Sequence, residues 1–151
     1  MSKYYLYTDG ACSNNPGPGG WAFILLNDKE QSMESSGFIS ETTNNRMELL
    51  AVLKGLLAID KNNCSVDVFT DSAYVCNAFL NGWILAWQNN GWKNSQKKPV
   101  ENQDIWKEIL NQIKGRKVYW HKVEGHSDNV YNNRCDKLAQ TQVKNNIGKT
   151  P

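Results

Sequence analysis

The amino-acid sequence predicts an α/β protein: a mixed five-stranded sheet, three antiparallel strands plus two parallel, with helices on both faces. Three observations carry this expectation. Three β-patterned runs follow one another through short turns, which implies an antiparallel meander. A long apolar run of helical character then precedes a fourth, β-branched run, so the connection is a crossover and the pairing parallel. A fifth strand-like run lies between two further helical runs, as in a layered α/β domain.

Lys3 to Thr8 is rich in tyrosine and alternates as a strand does, stopping at Asp9-Gly10. Asn14-Asn15-Pro16-Gly17-Pro18-Gly19-Gly20 is a strong turn signal. Its glycines lack the GxGxxG and GxxxxGK[ST] spacings of nucleotide cradles, so Gly17, Gly19 and Gly20 read as a hairpin turn. Trp21 to Leu26 is the second strand, and Met33 to Ser40 the third. Thr42-Thr43-Asn44-Asn45 starts a helix over Arg46 to Ile59 that is apolar nearly all round and therefore deeply buried. Val66 to Thr70 is the fourth strand. Ser72 caps a helix through Leu80, Asn81-Gly82 breaks it, and Trp83 to Trp87 adds one short turn. Asn89 to Pro99 reads as a protruding loop. Glu101 to Lys114 is an amphipathic helix, Lys117 to Val123 the fifth strand, Glu124 to Val130 a loop, and a last helix runs from about Tyr131 to before Asn146. The order is βββαβααβα, with the Trp83 segment counted inside the helical stretch.

Length and composition fit one domain spanning 1–151, with a handle at about 83–100. A chain of this size buries roughly 68–70% of its unfolded surface and needs no staples. No apolar run reaches the length of a membrane span, and the N-terminus has no signal-peptide pattern, so a cytoplasmic protein is expected, without a membrane partner. Cys12, Cys64, Cys76 and Cys135 form no CxxC pair or zinc-type cluster and read as reduced thiols. The net charge of +2 is unevenly spread: residues 1–76 carry 5 Lys/Arg against 9 Asp/Glu, and residues 77–151 carry 12 against 6. A basic second half suits a polyanionic partner.

Four acids sit at positions that suit chemistry. Asp9 ends the first strand and Asp71 the fourth, so parallel neighbours would deliver both to one carboxyl edge, where open α/β sheets bind ligands. Glu48 lies in the first turn of the apolar helix, an expensive place for an unpaired charge. Asp136 lies in the last helix. Clustered carboxylates repel and resist ionisation, and a divalent cation reverses that preference. All-oxygen ligation suits Mg2+ or Mn2+ rather than zinc. The competing reading is that each acid caps a helix or pairs with a neighbour.

The segments Tyr7-Thr8-Asp9-Gly10-Ala11-Cys12, Asn15-Pro16-Gly17-Pro18-Gly19-Gly20, Thr42-Thr43-Asn44-Asn45-Arg46-Met47-Glu48-Leu49, Thr70-Asp71-Ser72, Gly125-His126 and Asn132-Asn133-Arg134-Cys135-Asp136 resemble, in order and spacing, those of type 1 ribonuclease H, the bacterial-type ribonuclease HI family. The resemblance covers essentially the whole chain. It implies the ribonuclease H-like fold and an endoribonuclease that hydrolyses the RNA strand of RNA/DNA hybrids, leaving 5′-phosphate and 3′-hydroxyl ends. Asp9, Glu48, Asp71 and Asp136 would hold two Mg2+ ions, with Mn2+ a possible substitute, one delivering the attacking hydroxide and the other stabilising the leaving 3′ oxygen. His126 would be the catalytic loop histidine, assisting proton transfer or product departure. Without the resemblance, a lone histidine in such a loop reads as a surface residue.

The resemblance also assigns substrate contacts. Cys12, Asn15, Asn44 and Asn45 would approach the minor groove, where the 2′-hydroxyl tells RNA from DNA. Asn15 and Asn44 equally suit a turn and a cap. Thr43 would grip a DNA-strand phosphate at a helix N-terminus, and Asn132 would face the RNA strand. Trp83, Trp87, Trp92, Lys93, Lys97 and Lys98 would form the handle's nucleic-acid surface, while Trp83 and Trp87 also suit a small core of the handle itself. Two departures stand out. Gln88-Asn89-Asn90 is neutral where the family often has a basic cluster, which implies a weaker hybrid affinity and a shallower salt dependence. Ala73 stands where an amide is common, so one minor-groove contact is expected to be missing. Integrases, resolvases and proofreading exonucleases share such a fold and carboxylate chemistry, but the Asn44-Asn45-Arg46 run and the handle favour the hybrid nuclease. A non-cleaving hybrid-binding module would be expected to lose one of the acids, and all four are present. The ordered motifs also tell against a plain metal- or polyanion-binding protein. A monomer is expected.

Overall fold

The computed structural model describes residues 2–124 and 129–146. Along the chain lie β1 (Ser2–Cys12), β2 (Gly17–Asn27), β3 (Ser32–Thr42), α1 (Asn44–Leu57), β4 (Cys64–Thr70), α2 (Ala73–Leu80), α3 (Trp83–Asn89), α4 (Gln103–Ile113), β5 (Lys117–Lys122) and α5 (Val130–Asn146). The sheet order is β3-β2-β1-β4-β5. β1 pairs antiparallel with β2, and β2 with β3; β1–β4 and β4–β5 are parallel. This is the expected mixed sheet. The helix count differs, because α2, α3 and α4 are three separate helices between β4 and β5. Gly82 at φ 78° precedes α3 and Asn102 at φ 62° precedes α4, and such left-handed residues interrupt helical hydrogen bonding.

Strand alternation gives the sheet two faces, each with its own core. On one face, Leu6 of β1, Phe23 and Leu25 of β2, and Val66 and Val68 of β4 pack with Leu49, Val52 and Leu56 of α1. Val75 of α2, Ile84 of α3 and Ile105, Trp106 and Ile109 of α4 complete that core. Each large side chain so buried contributes about 1.5–3 kcal/mol. Trp106 is fully buried, and its indole N–H donates to the Tyr74 hydroxyl at 3.1 Å, which satisfies its one polar group. On the other face, Ala22 and Ile24 meet Cys135 and Ala139 of α5. Helices therefore cover both faces, four on one and a single one on the other. Nothing bridges the cysteines: Cys12, Cys64, Cys76 and Cys135 are free thiols.

α1 begins where expected, but its cap is Thr43, whose hydroxyl accepts from the Arg46 N–H at 3.2 Å. Its far end is closed by Arg116, whose guanidinium donates to the carbonyls of Leu56, Ile59 and Lys61. One arginine thus satisfies a carbonyl of the last helical turn and two of the turn that follows it.

Two expectations about strand limits are corrected. β1 does not stop at Thr8, because its ladder with β2 continues to Cys12 opposite Gly19. Gly17, Gly19 and Gly20 are not a turn but the start of β2, which shifts register between Gly17 and Gly19. The turn is confined to the residues before Gly17. Glycine is needed in the strand because α5 lies directly on it: a Cβ on Gly20 would stand 2.2 Å from the Ala139 carbonyl oxygen. Gly20→Ala is therefore expected to cost about 3 kcal/mol of stability by overpacking. A urea-denaturation midpoint that falls at constant m would show it.

Candidate active site

Asp9, Glu48 and Asp71 converge at the carboxyl edge of the sheet. The parallel ladder of β1 and β4 ends at Tyr7 opposite Phe69, and the two strands then part. Asp9 follows two residues beyond that fork on β1, and Asp71 lies just past the end of β4. So Asp9 is not at a strand end, as the sequence suggested; it sits where β1 keeps β2 as its partner but has left β4. α1 brings Glu48 in from the other side. Its first turn lies against β1 so closely that a Cβ on Gly10 would stand 2.5 Å from the Glu48 nitrogen. One oxygen from each of Asp9, Glu48 and Asp71 lies within 4.8 Å of the others.

The electrostatics are unfavourable for bare carboxylates. Asp9 is 7% exposed and Glu48 4%. Burial, aided by the charges of Asp71 and Asp136, pushes Asp9 up to about 7. Burial and the charge of Asp9 push Glu48 well above the usual carboxylate range. No described lysine or arginine pairs with either. The contrast with Asp67 is direct: that buried acid, on β4, has Lys3 at 2.5 Å and His121 at 2.7 Å. Glu48 Oε1 is buried with no hydrogen-bond partner. An all-oxygen set with a buried, unpartnered carboxylate oxygen fits a hard divalent cation, which would supply the missing counter-charge.

Asp136, on α5, stands outside this tight trio but lines the same cleft, of about 310 Å³, together with Asn44, Asn132, Asn133, Val123 and Glu124. Gln140, one helical turn on, donates to Asp136 Oδ1 at 2.9 Å. Gln140 was not singled out from the sequence, although its spacing of four residues from Asp136 on a helix is a usable signal. An adjoining groove shares Gly10, Asn44, Asp136 and Gln140 with the cleft and adds Cys12 and Lys144. Asn15 is exposed and accepts from the Asn44 backbone N–H at 3.1 Å, tying the β1–β2 turn to the start of α1. Asn45 is exposed on the first turn of α1, and Thr43 is the helix cap. Asn132 does not simply face outward: its amide nitrogen donates to the carbonyls of Phe69 at 3.1 Å and Thr8 at 3.4 Å. His126 lies outside the described residues.

The handle residues do not line this cleft. Trp87 packs on Trp106 of the core and between Trp83 and Trp92, with ring centroids 5.6, 6.3 and 6.0 Å away. Trp83 stays 39% exposed, Trp92 lies beneath Lys107, and Lys93, Lys97 and Lys98 are exposed. Asn90 is a fixed part of the loop: its side chain donates to the Lys93 carbonyl at 2.9 Å and accepts from the Lys93 N–H at 3.1 Å. Ala73 is exposed at the start of α2.

The RNase H family model matches residues 1–144. The chain is 57% identical to the ribonuclease H of Thermoanaerobacter sp. (strain X514), over 97% of this chain and 93% of that protein. It is 50% identical to the ribonuclease H of Acetivibrio thermocellus, over 99% of this chain and all of that one. Among solved structures, LC9-RNase H1, a type 1 RNase H with the type 2 active-site motif, superposes with a TM-score of 0.85 at 25% identity, covering 96% of this chain and 74% of that one. LC11-RNase H1, solved in complex with an RNA/DNA hybrid, shares the fold with a TM-score of 0.71 at 23% identity, covering 94% of this chain and 97% of that one. The chain belongs to the RNase H family.

A pH prediction follows from the two buried acids. Their native pKa values lie above those of the unfolded chain, so between the two values the native state holds protons that the unfolded state has lost, and stability falls as pH rises through that window. For Asp9 the window runs from 3.8 to about 7. Without divalent ions, Tm is expected to fall as pH rises from about 4.5 to 7.5, with Glu48→Gln flattening the decline. A divalent cation such as Mg2+ would bind the ionised carboxylates, so any stabilisation by added Mg2+ should be larger at pH 8 than at pH 5, a comparison for differential scanning fluorimetry.

Proposed function

We propose that the chain is an endoribonuclease that hydrolyses the RNA strand of RNA/DNA hybrids at the Asp9–Glu48–Asp71–Asp136 cleft. It acts as a monomeric cytoplasmic enzyme, in which residues 1–151 form one catalytic domain with a handle at 83–100. The observation that carries this reading is the trio of carboxylates held within one ligand sphere, two of them buried, with no cationic side chain among the described residues to neutralise them. Among the described residues, no helix is long and apolar enough to cross a membrane.

Asp9, Glu48, Asp71 and Asp136 would hold two Mg2+ ions, or Mn2+ in their place. When bound, such ions activate water and neutralise charge developing on the scissile phosphate. The protein's own residues hold and orient. Gln140 restrains the Asp136 carboxylate, and His126 would assist proton transfer. The products carry 5′-phosphate and 3′-hydroxyl ends. Asn44 lines both the cleft and the groove beside it, and Cys12 lines that groove. With Asn15 and Asn45 they present short polar groups to the minor groove, where amides both donate to and accept from a 2′-hydroxyl. Thr43 uses its oxygen as acceptor in capping α1, which leaves its hydroxyl hydrogen to donate to a DNA-strand phosphate. In the handle, Trp83, with Trp87 and Trp92 behind it, and Lys93, Lys97 and Lys98 meet the DNA strand.

With RNA/DNA hybrid, duplex DNA and duplex RNA as substrates, Mg2+-dependent cleavage of the RNA in the hybrid alone is expected. Chelation abolishes it, and Asp71→Asn lowers kcat by roughly 10²–10³-fold, the worth of a few kcal/mol of transition-state stabilisation. Cleavage of duplex DNA, or activity that survives chelation, contradicts the reading.

The neutral stretch of the handle sets the salt dependence. Asn90 is committed to the loop, so the informative change is Gln88→Lys/Asn89→Lys, both exposed. Each new phosphate contact steepens the slope of log affinity against log salt by about 0.9. The double variant is expected to lower KM, leave kcat unchanged and steepen the slope by about 1–2. Equal slopes for the two proteins would refute the weakened handle.

A further inference from the structure

Asn132 is half-buried in the first turn of α5 and lies at the junction of three elements that carry candidate metal ligands. Its amide nitrogen donates to the carbonyl of Thr8, the residue directly before Asp9, and to that of Phe69, two residues before Asp71. These carbonyls face the fork where β1 and β4 part, their last paired residues being Tyr7 and Phe69. Asn132 itself lies one helical turn before Asp136, on the same side of α5. Its position on the helix is fixed from below, since its backbone N–H donates to Asn129 Oδ1 at 3.1 Å. A second link runs beside it, from Cys135 Sγ to the Tyr7 carbonyl at 3.3 Å, but a thiol is a weak donor and reaches β1 alone.

We infer that Asn132 is a positioning residue that sets the spacing of the carboxylates, rather than a contact for the RNA strand. The inference rests on the hydrolytic reading of the cleft. Past Tyr7 and Phe69 the parallel ladder no longer ties β1 to β4, yet Asp9 and Asp71 must come within one ligand sphere against their mutual repulsion. Asn132 spans that gap with two donors from one rigid amide. Because the amide belongs to α5, the same pair of bonds fixes the distance of Asp136 from the other three acids. Both donors are used in the tie. The amide oxygen takes no part in it and has no hydrogen-bond partner among the described residues.

The test separates positioning from substrate contact. Asn132→Ala removes the tie, and Asn132→Leu removes it while keeping the side chain's bulk. Groups that orient metal ligands typically change metal affinity 10–100-fold, so both variants are expected to raise the Mg2+ concentration for half-maximal hybrid cleavage by roughly tenfold or more. At saturating Mg2+ the KM for hybrid should stay within about twofold of wild type, because no substrate contact has been lost. Without any hybrid, the Mg2+-induced rise in Tm should require correspondingly more Mg2+. That readout holds even if the wild type, with Asp71→Asn as its control, proves not to cleave hybrid, so the two readings fail separately. A tenfold rise in KM with an unchanged Mg2+ requirement assigns Asn132 to the substrate and overturns the proposal. So does a lower Tm with normal Mg2+ dependence, or the failure of both variants to fold by circular dichroism, either of which makes Asn132 a residue of general stability.

Discussion

Everything at the functional edge of this protein depends on one unfavourable interaction: the repulsion between Asp9, Glu48 and Asp71, the first two of them buried where water screens poorly. Asp9 and Glu48 are nearly as buried as the aliphatic core. At such burial an unpaired charge is not tolerated, and the alternatives are a proton or a cation. Asp67 shows that the fold can bury an acid cheaply when it chooses to, with Lys3 and His121 placed beside it. No such partner stands beside Asp9 or Glu48 among the described residues. The difference between these two buried acidic sites is that Asp67 is neutralised by the fold's own cations, whereas Asp9 and Glu48 are left to a proton or a cation.

The topology explains how the repulsion is sustained. The crossover through α1 makes β4 a parallel neighbour of β1, so the two strands run out at the same edge. α1 then comes down on one face, its N-terminus pressed against Gly10, and α5 comes down on the other. Each of the four acids thus belongs to a different element: β1, α1, the end of β4, and α5. None of these can retreat without uncovering part of a core. The apolar burial on both faces supplies the free energy that keeps four acids near one another, and Asn132 and Cys135 stitch the layers together just beneath them.

Much of this was legible in the sequence, and the failures are informative. Asp9 and Asp71 could be placed at one edge because a meander followed by a crossover leaves few topologies open. Glu48 was conspicuous because a charge is out of place in so apolar a helix. The glycines of β2 were misread because a glycine-rich run looks the same whether it turns the chain or lets a helix lie on a strand; what distinguishes the cases is Ala139, far away in sequence. β1 appeared to stop at Thr8 because Asp9-Gly10 resembles a terminator, whereas one remaining antiparallel partner suffices to continue a strand. Gln140 and the tie made by Asn132 were invisible for another reason: a polar amide on a helix looks like solvated surface until its acceptor is known.

The handle shows the same ambiguity resolved in the opposite direction. Its tryptophans suggested a nucleic-acid surface, yet Trp87 rests on Trp106 and on its neighbours Trp83 and Trp92. Aromatic surface spent on internal packing cannot also stack on a base, and Trp83 alone of the three remains substantially exposed. Asn90 and Asn94 are likewise occupied, closing the loop through Lys93, Gln96 and Lys98. What the handle can still offer a polyanion is the exposed lysines and one indole. A rigid aromatic base with few mobile charges fixes where a strand lies more than how tightly it is held, because phosphate contacts supply most sequence-independent affinity. The polar side chains beside the carboxylates, Asn44 among them, belong by contrast to the rigid sheet edge rather than to the protrusion.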